Sequence, residues 1–459
     1  MIAEIGGTAV PEAWYHIIPD LPWPLPPDLP GGPGAGGAPQ IPTGLVRQEL
    51  SSANRIPIPE PVLQRYRAFR PTPLRRAEAL ERYLGTGCRI YYKDESRNVS
   101  GSHKLNSALA QAHAYRQAGA TTLVTATGAG QWGTALAAAC RAFGLECRVH
   151  MVAGSLAAKP YRRVLMEMLG ARVTASPSPD TAAGRAAAGR TPDGSLAIAM
   201  AEALETARGE PGARFATGSG ESYALLHQTV IGLEAAEQLA VLGERPDAVI
   251  ASLGAGSNFG GLAGPFLRER LTDAGRRSGV GAGPRCIAVE PAACPKLTRG
   301  VYRYDHTDAS GTGPTQKMYT LGHTFAPPPI HAGGLRYHGT AKIVSSLYHQ
   351  GVIEAVAYGQ NEVLASGALF ARQEGVVPAP ESAHAVHAAI QEARAADARG
   401  ERAVILFCLS GHGMLDLAAY AEHLSGSLPD GEPSAEQLAA ALEHLPPQPG
   451  REAEPAHGY

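Results

Sequence analysis

The chain has 459 residues, 44% of them hydrophobic, and a formal net charge of −2 at pH 7. This nearly balanced charge gives no electrostatic reason to expect a nucleic acid or an anionic membrane surface as a partner. No stretch approaches the about 18 apolar residues of a membrane-spanning helix, and residues 1–10 lack the basic start and apolar core of a secretory signal. We therefore expect a cytoplasmic protein, long enough for two domains that share a cleft.

Residues 1–60 are rich in proline and glycine, with the run Pro22–Pro27 followed by a glycine section that begins at Gly31. Proline lacks a backbone donor, and segments of this composition build little regular structure. The aromatic residues of the segment, Trp14 among them, predict that it lies extended on the main body, while the glycine section is flexible.

From Arg89 onward, short β-branched or aromatic runs alternate with longer helical segments. The predicted strands are Arg89–Lys93, Thr122–Thr125, Glu146–Met151, Arg172–Thr174, Ala248–Ser252, Arg285–Glu290 and Ala403–Cys408. The predicted helices include Asn106–Ala118, Gly133–Phe143, Tyr161–Leu169 and Val230–Leu242. Such alternation predicts an α/β fold of two open, mainly parallel twisted sheets with helices on both faces and a ligand in the cleft between domains.

Two α/β units are expected, one before and one after Pro246, which predicts domains of residues 61–245 and 246–425. Residues 426–459 form a polar, proline-rich tail. We expect one short helix there, from the capping Ser434 to Leu445, and disorder over the last dozen or so residues.

The six cysteines do not have the spacing of metal ligands, since Cys140 and Cys147 are too far apart for a C-x-x-C site. No histidine cluster accompanies them. We therefore expect buried, reduced thiols and no metal site.

Lys104 lies in the segment Gly101–Asn106 (G-S-H-K-L-N), between a predicted strand and a predicted helix. Only six of the 40 basic residues are lysines. Burial lowers the pKa of a lysine and leaves its amine able to form an imine. Lys104 is therefore a candidate for Schiff-base chemistry.

Two glycine loops follow predicted strands. Gly254-Ala255-Gly256-Ser257-Asn258 comes after Ala248–Ser252, and Thr127-Gly128-Ala129-Gly130-Gln131 comes after Thr122–Thr125. Glycine permits close approach of the backbone, and the amide hydrogens at a helix start attract anions. The first loop is a candidate phosphate site, and the second is a candidate site for a carboxylate.

Three segments, in this order, resemble the active-site signatures of the tryptophan synthase β-subunit family, whose members are fold-type II pyridoxal phosphate enzymes. They are His103-Lys104-Leu105-Asn106, Ala126-Thr127-Gly128-Ala129-Gly130-Gln131 and Gly254-Ala255-Gly256-Ser257-Asn258. Further matches are Arg70–Leu74, Leu226–Gly232, Pro380–Ala385 and Leu409–Gly413. The resemblance runs from about Ala13 to about Tyr420.

The resemblance implies bound pyridoxal 5′-phosphate and a β-replacement reaction, the condensation of indole with L-serine or O-phospho-L-serine through an aminoacrylate. The cofactor-binding residues that it implies are His103, Lys104, Asn106, Gly254, Ala255, Gly256, Ser257, Asn258, Glu381 and Ser410. The residues that it implies for the substrate carboxylate are Thr127, Gly128, Ala129, Gly130 and Gln131. Lys104 would also move the α-proton, Ser410 would bond the pyridine nitrogen, and Glu381 would lie beside the ring as a catalytic residue.

The extension Trp14–Leu21, the pair Gln131-Trp132 and the segment Gly333–Gly339 resemble the second, longer branch of this family. Members of that branch differ from the subunit that pairs with an α-subunit, so an α-subunit partner is not expected. The resemblance implies a homodimer that acts on small molecules.

Two positions depart from the family pattern. Ala126 stands where the family usually has a glutamate that protonates the leaving hydroxyl and helps to deprotonate indole, and loss of such assistance costs about 10²–10⁴-fold. Arg336 stands where the α-paired branch has an aspartate. An arginine could bind a leaving phosphate, or it could pair with a carboxylate at the cleft edge. Both departures favour O-phospho-L-serine, since phosphate leaves without a proton, and they make Arg336 a candidate catalytic residue.

Other interpretations stay open. The chain could add a different nucleophile in specialised metabolism, or release ammonia as a serine or threonine dehydratase. It could also be a non-catalytic paralogue that binds the cofactor. Lys159, Arg162 and Arg163 are expected to be solvated residues at a helix start rather than ligands.

Overall fold

The computed structural model describes residues 8–30, 41–189, 191–272, 283–308, 311, 314–429 and 431–448. Its strands are β1 Ala13–Tyr15, β2 Arg55–Pro57, β3 Leu74–Arg76, β4 Arg89–Asp94, β5 Thr122–Thr127, β6 Glu146–Val152, β7 Ala171–Ser176, β8 Ala213–Phe215, β9 Ala248–Ser252, β10 Arg285–Pro291, β11 Val301–His306, β12 Thr315–Thr320, β13 Glu354–Tyr358 and β14 Val404–Leu409. All seven predicted strands are present, most of them one to three residues longer than predicted.

The α-helices of the described ranges are α1 Thr43–Glu49, α2 Glu60–Tyr66, α3 Glu78–Leu84, α4 Lys104–Gln117, α5 Gln131–Phe143, α6 Ala153–Ala158, α7 Pro160–Met168, α8 Ala182–Ala188, α9 Leu196–Gly209, α10 Ser222–Gln228, α11 Val230–Val241, α12 Ser257–Leu271, α13 Lys342–His349, α14 Gln360–Glu374, α15 Pro380–Ala398, α16 Leu417–Ser425 and α17 Ala435–Leu442. The four helices predicted between strands are confirmed. Among the described residues, no helix is long and apolar enough to cross a membrane.

Two sheets form the body of the fold. The first has six strands in the order β13-β10-β9-β14-β4-β3, of which only the edge strand β3 is antiparallel. The second has four parallel strands in the order β7-β6-β5-β8. The predicted α/β fold with two mainly parallel sheets is therefore confirmed.

The central strand β14 shows that helices cover both faces of the six-stranded sheet. Its side chains alternate between two apolar clusters, with Leu406 and Cys408 in one and Ile405 and Phe407 in the other. The first cluster includes residues of α12, and the second includes residues of α15. A strand that is buried on both faces has a continuous apolar sequence, as β14 has. All six cysteines of the chain are buried.

The division predicted near Pro246 does not match the sheets. β3 and β4 precede this point in the chain, yet β4 pairs in register with β14, so that Ile405 lies opposite Ile90. Strands from residues 74–94 thus complete a sheet that otherwise comes from residues 248–409. Composition along the chain carries no information about such long-range pairing. The assignment of residues 61–245 and 246–425 to two domains stays a prediction.

The proline-rich segment has more regular structure than predicted. It forms α1 and the strand β1, which pairs antiparallel with β2. The segment packs against the main body of the fold, as predicted. Trp14 is 1% exposed, and the centroid of its ring lies 4.6 Å from the ring centroid of His227. The backbone N–H of Tyr15 donates to Thr229 Oγ1 at 2.9 Å. The predicted glycine section from Gly31 lies outside the described residues.

The tail helix α17 is confirmed and ends at Leu442 rather than Leu445. The Ser434 side chain accepts a hydrogen bond from the backbone N–H of Gln437, whose side chain bonds back to Ser434, so a capping box starts the helix. Leu438 and Ala441 pack beside Phe325. The last residues, 449–459, for which disorder was predicted, lie outside the described residues.

Substitution of Trp14 tests how firmly residues 8–30 are docked. We expect Trp14→Ala to lower the free energy of unfolding by about 3–5 kcal/mol, because a fully buried ring is lost. Urea titration followed by circular dichroism measures this. Tyr83→Ala, at a position 57% exposed, should stay within about 0.5 kcal/mol of the parent. Equal stability of both variants would show that the segment contributes little to folding.

Candidate active site

The candidate active site is a cavity of about 810 Å³ lined by residues that follow strands of both sheets. Thr127 ends β5 of the four-stranded sheet, and Ala255 follows β9 of the six-stranded sheet. A narrower recess of about 40 Å³ adjoins it. Lys104 and Gln131 line both spaces. Strand ends and helix starts therefore meet here, as expected for ligand sites of open α/β sheets.

Lys104 is the first residue of α4. Burial lowers the pKa of its ammonium group, and the negative charge of Glu381 opposes this shift. A lysine that loses its proton more easily than usual can act as a nucleophile and as a base. Its position between the cavity and the recess gives a bound ligand access to the amine.

The loop Gly254–Asn258 joins β9 to α12 and lines the recess. A Cβ atom on Gly254 would lie 2.5 Å from the backbone oxygen of Gly334, and Gly256 has a φ of +130°. Both positions therefore require glycine. Helix α12 is 15 residues long and begins at Ser257. The positive end of its dipole therefore lies at the recess. This is the geometry of an anion site.

His103 connects this loop to the end of β14. Its Nε2 lies 3.5 Å from Ser257 Oγ, and its backbone N–H donates to the carbonyl oxygen of Ser410 at 2.9 Å. Burial, together with the charge of Lys104, lowers the pKa of His103 to about 3. The ring is therefore neutral at physiological pH. The hydroxyl groups of Ser410 and Ser382 are 2.8 Å apart.

Asn258 and Glu381 each present a buried oxygen atom without a partner among the described residues. The Nδ2 of Asn258 donates to Ser252, and its Oδ1 has no partner. The Oε1 of Glu381 accepts from Gln131 Nε2 and from the backbone N–H of Gly334, both at 2.8 Å, and its Oε2 has no partner. Buried acceptors of this kind are costly unless a ligand satisfies them.

The predicted carboxylate loop, Thr127–Gln131, lines the large cavity except for Gly130. Thr127 Oγ1 accepts from the backbone N–H groups of Gly130 and Gly133 at 3.2 and 3.3 Å. Gly130 has a φ of +98°, which turns the chain into α5. The structure thus brings this loop, Lys104, the glycine loop after β9, Glu381 and Ser410 together.

Asn106 does not join the other predicted site residues. It is fully buried and lines neither the cavity nor the recess. Its Oδ1 accepts from Arg70 at 2.8 Å, and its Nδ2 donates to Glu95 and Gln228. The prediction that Asn106 binds a cofactor therefore has no geometric support, because its amide is occupied inside the fold.

Arg336 lines the large cavity. Its Nη2 donates to the carbonyl oxygen of Pro327 at 2.7 Å, whereas its Nε is buried without a partner. Burial lowers the pKa of its guanidinium group. No carboxylate of the described residues forms an ion pair with it, so the alternative of a cleft-edge ion pair is not supported.

The prediction that the basic residues near α7 are solvated is wrong for two of them. Lys159 and Arg162 are buried and pair with Asp416 at 2.6 and 2.9 Å. Arg163 is the exception, since it pairs with Glu167 at the surface. Sequence could not reveal the first two pairs, because Asp416 is more than 250 positions away.

Three comparisons with known proteins bear on this site. The family described as pyridoxal-phosphate dependent enzyme matches residues 66–411. The tryptophan synthase beta chain 2 of Aquifex aeolicus is 50% identical over 428 residues, which cover 92% of this chain and 98% of that protein. This chain belongs to the pyridoxal-phosphate dependent enzymes, in the branch of the tryptophan synthase beta chains. The relative of the same name from Aeropyrum pernix is 51% identical over 92% of this chain and 95% of its own length.

Solved structures show the same fold at low identity. The L-serine ammonia-lyase of Rhizomucor miehei has a TM-score of 0.56 at 14% identity and covers 78% of this chain and 98% of its own. The threonine deaminase isoform 2 of Solanum lycopersicum has a TM-score of 0.59 at 17% identity and covers 88% of this chain and 98% of its own. These two likenesses confirm the predicted α/β fold. The assignment as a fold-type II, pyridoxal phosphate-dependent lyase is confirmed by the family match and the half-identical relatives.

The residues of the recess fit pyridoxal phosphate. The glycine loop and the start of α12 suit a phosphate group, and Lys104 suits an aldehyde carbon. The unpartnered Oδ1 of Asn258 can accept a hydrogen bond from a ring hydroxyl group. Ser410 also lines the recess, and its hydroxyl is of the neutral kind that the motif predicts as the partner of the ring nitrogen.

Sequence reasoning missed Glu221 and Lys296. Glu221 lines the large cavity at the start of α10, and its only sequence signal was a carboxylate after a glycine-rich turn. Lys296 is fully buried, and its ammonium group donates to the carbonyl oxygens of Leu253, Cys294 and Leu335 at 3.2, 3.4 and 3.4 Å. It therefore connects the residue before Gly254 with the residue before Arg336.

Removal of the Lys296 ammonium group should loosen both walls of the site. Lys296→Met leaves three buried carbonyl oxygens without this donor, and each unsatisfied group costs about 1–3 kcal/mol. We expect a lower melting temperature and faster release of cofactor during dialysis, measured by absorption of the protein fraction. Lys317→Met, at a partly exposed strand position, is the matched control and should retain the cofactor. Unchanged retention in both variants would exclude a positioning role for Lys296.

Proposed function

We propose that this protein catalyses a β-replacement in which indole displaces the β-substituent of L-serine or O-phospho-L-serine to form L-tryptophan. The observation that carries the proposal is the position of Lys104, whose pKa is lowered, at the junction of the recess and the large cavity. The relatives that are about half identical to this chain are named tryptophan synthase beta chain 2, which supports the same reaction. Pyridoxal phosphate, when bound, supplies the electron sink that makes the α-proton acidic.

In this proposal the recess binds the cofactor and the large cavity binds the substrate. In the recess, Gly254–Asn258 hold phosphate and Ser410 orients the ring. In the cavity, the loop Thr127–Gln131 binds the substrate carboxylate through the amide groups at the start of α5. Lys104 removes the α-proton and later returns it. Glu381 stays beside the ring and keeps Gln131 in place through its hydrogen bond.

We further propose O-phospho-L-serine as the preferred donor. Arg336 is a partly buried cation, with a buried Nε and without an ion-pair partner among the described residues. A dianionic leaving phosphate would satisfy its planar donor groups. Phosphate also leaves without a proton, which suits a cavity whose wall has Ala126 at the end of β5.

A larger acceptor than indole is a second candidate substrate. The cavity volume of about 810 Å³ lies near the upper end of the range for small-molecule sites. The small side chain of Ala126 contributes to this space. Turnover of substituted indoles or other nucleophiles faster than indole would favour the alternative of a specialised β-substitution. Release of pyruvate and ammonia alone, with no adduct, would instead indicate a dehydratase.

The partners follow from the same proposal. We propose a cytoplasmic homodimer that works without an α-subunit. The N-terminal segment that resembles the longer branch supports this, since Trp14 and Tyr15 are packed into the fold. Light scattering of the purified protein would test the dimer.

Loss of the Lys104 amine tests the central step. We expect Lys104→Ala to reduce tryptophan formation to background, because the amine proposed to take up the α-proton is lost. The assay combines protein, pyridoxal phosphate, indole and either donor, with chromatographic detection of tryptophan. Glu237→Gln, an exposed substitution on α11, should behave as the parent. Full activity of Lys104→Ala would refute the proposed role, and an inactive parent would favour a non-catalytic paralogue.

Replacement of Arg336 tests the donor. We expect Arg336→Gln to lower kcat/KM for O-phospho-L-serine by about 10–100-fold, since hydrogen bonds to charged groups contribute about 1.5–3 kcal/mol. The value for L-serine should change by less than about threefold by the same reasoning. Arg163→Gln, on the exposed face of α7, serves as the control. An equal loss with both donors would mean that Arg336 only supports the structure.

A further inference from the structure

The proposed condensation needs a base for the acceptor, and the inference below rests on that proposed function. When C3 of indole bonds to the β-carbon of the donor, the new bond takes two π electrons of the indole ring. The ring then carries a positive charge until C3 releases its proton. Lys104 is occupied with the α-proton of the amino acid, and Ala126 has no group that accepts a proton.

The carboxylates of the large cavity differ in what they already bind. Those that line it are Asp28, Glu49, Glu205, Glu221 and Asp308. Asp28 lies 3.2 Å from the ammonium group of Lys342, and Glu49 accepts from the backbone N–H of Ser222 at 2.8 Å. Glu205 accepts from two backbone N–H groups of α8, and Asp308 also has a partner. No described residue donates a hydrogen bond to the carboxylate of Glu221.

The chain segment that carries Glu221 runs beside Ala126. β8 pairs parallel with β5, and the next residue, Ala216, donates its backbone N–H to Val124 at 3.0 Å. The hydroxyl of Thr125, which precedes Ala126, donates back to the carbonyl oxygen of Ala216 at 2.6 Å. The segment then continues along the cavity, and Ser219 lines both the cavity and the recess. Glu221 therefore enters the site from the same wall as Ala126.

We propose that the carboxylate of Glu221 is the base that stabilises the positively charged acceptor and takes up the proton released from it. As the proton leaves C3 of indole for a carboxylate oxygen of Glu221, the C–H electron pair restores the aromatic ring. Glu221 then passes the proton to water at the mouth of the cavity. In this role Glu221 is a catalytic residue immediately before α10, whereas the family glutamate would lie on β5.

The electrostatic environment suits this task. Burial, and the negative charges of Glu49 and Asp28, raise the pKa of Glu221 to about 7. A base with a pKa near the working pH transfers protons most effectively. The ionisable groups that face it are Glu49 on α1, Asp28, Lys342 at the start of α13, Tyr115 on α4, Tyr223 on α10 and Tyr337. Lys342 opposes the shift.

The test separates the two halves of the reaction with the full-length protein loaded with pyridoxal phosphate. Release of phosphate from O-phospho-L-serine without indole reports on the donor half, and tryptophan formation reports on both. We expect Glu221→Gln to leave phosphate release within about threefold of the parent but to slow tryptophan formation by about 10²–10⁴-fold. Glu237→Gln is the matched control for the same change at an exposed site.

The pH profile provides the second readout. In the parent, kcat/KM for indole should fall as pH drops below about 7, because the carboxylate becomes protonated. Glu221→Gln should abolish this acidic limb. Glu49→Gln should move it to lower pH, since one neighbouring negative charge is removed. Infrared difference spectra should show a protonated carboxyl band that titrates over the same range and is missing in Glu221→Gln.

The outcomes distinguish this inference from the proposed function. Normal tryptophan formation by Glu221→Gln would overturn the role of Glu221 and leave the proposed function intact. A parent that neither releases phosphate nor forms tryptophan would instead overturn the proposed function, whatever the infrared band shows. Loss of both half-reactions in Glu221→Gln alone, with an unchanged melting temperature, would show that Glu221 binds the donor and is not a base for the acceptor.

Discussion

The buried ion pairs of Arg70 form the constraint on which the site depends. Arg70 bonds Glu95 at 2.9 Å and Glu234 at 2.8 Å, with all three side chains fully buried, and it also donates to Asn106. Although burial raises the pKa of Glu95, the charge of Arg70 dominates and holds it at about 2. Removal of one partner from such a network typically costs about 3–5 kcal/mol. Because Asn106 belongs to the first turn of α4, the network also fixes the position of Lys104.

The cavity contains charged groups of a different kind. Arg336 has a buried Nε without a partner, and no described residue donates to the carboxylate of Glu221. Desolvated groups without partners destabilise a folded protein, yet they interact strongly with a substrate that satisfies them. The ion pairs around Arg70 and the pairs that Lys159 and Arg162 make with Asp416 provide the rigid frame that tolerates this cost.

Local sequence predicted local structure well. The strands could be predicted because β-branched runs end at glycine loops. The last helix could be predicted because Ser434 is a typical N-cap residue, and it forms a capping box with Gln437. The loops at Thr127 and Gly254 were located because glycine is needed where the backbone turns into a helix. Predictions failed where the partner of a residue is distant in the chain. Asn106 is held by Arg70, and β4 pairs with β14, which lies more than 300 residues further along.

The sequence by itself determined the fold class, and its motifs, through their resemblance to a known family, indicated the cofactor and singled out Lys104, since motif order and helix-start chemistry are local properties. Only the tertiary structure decided which charged side chains of the described residues have no ion-pair partner or donor. Whether a carboxylate pairs with Arg336, or a donor reaches the carboxylate of Glu221, depends on groups that approach from other elements, and the pKa values of both side chains depend on burial. Burial and long-range charge are properties of the packed molecule. For that reason, the proposed base for the acceptor could be identified only after the cavity wall was assembled.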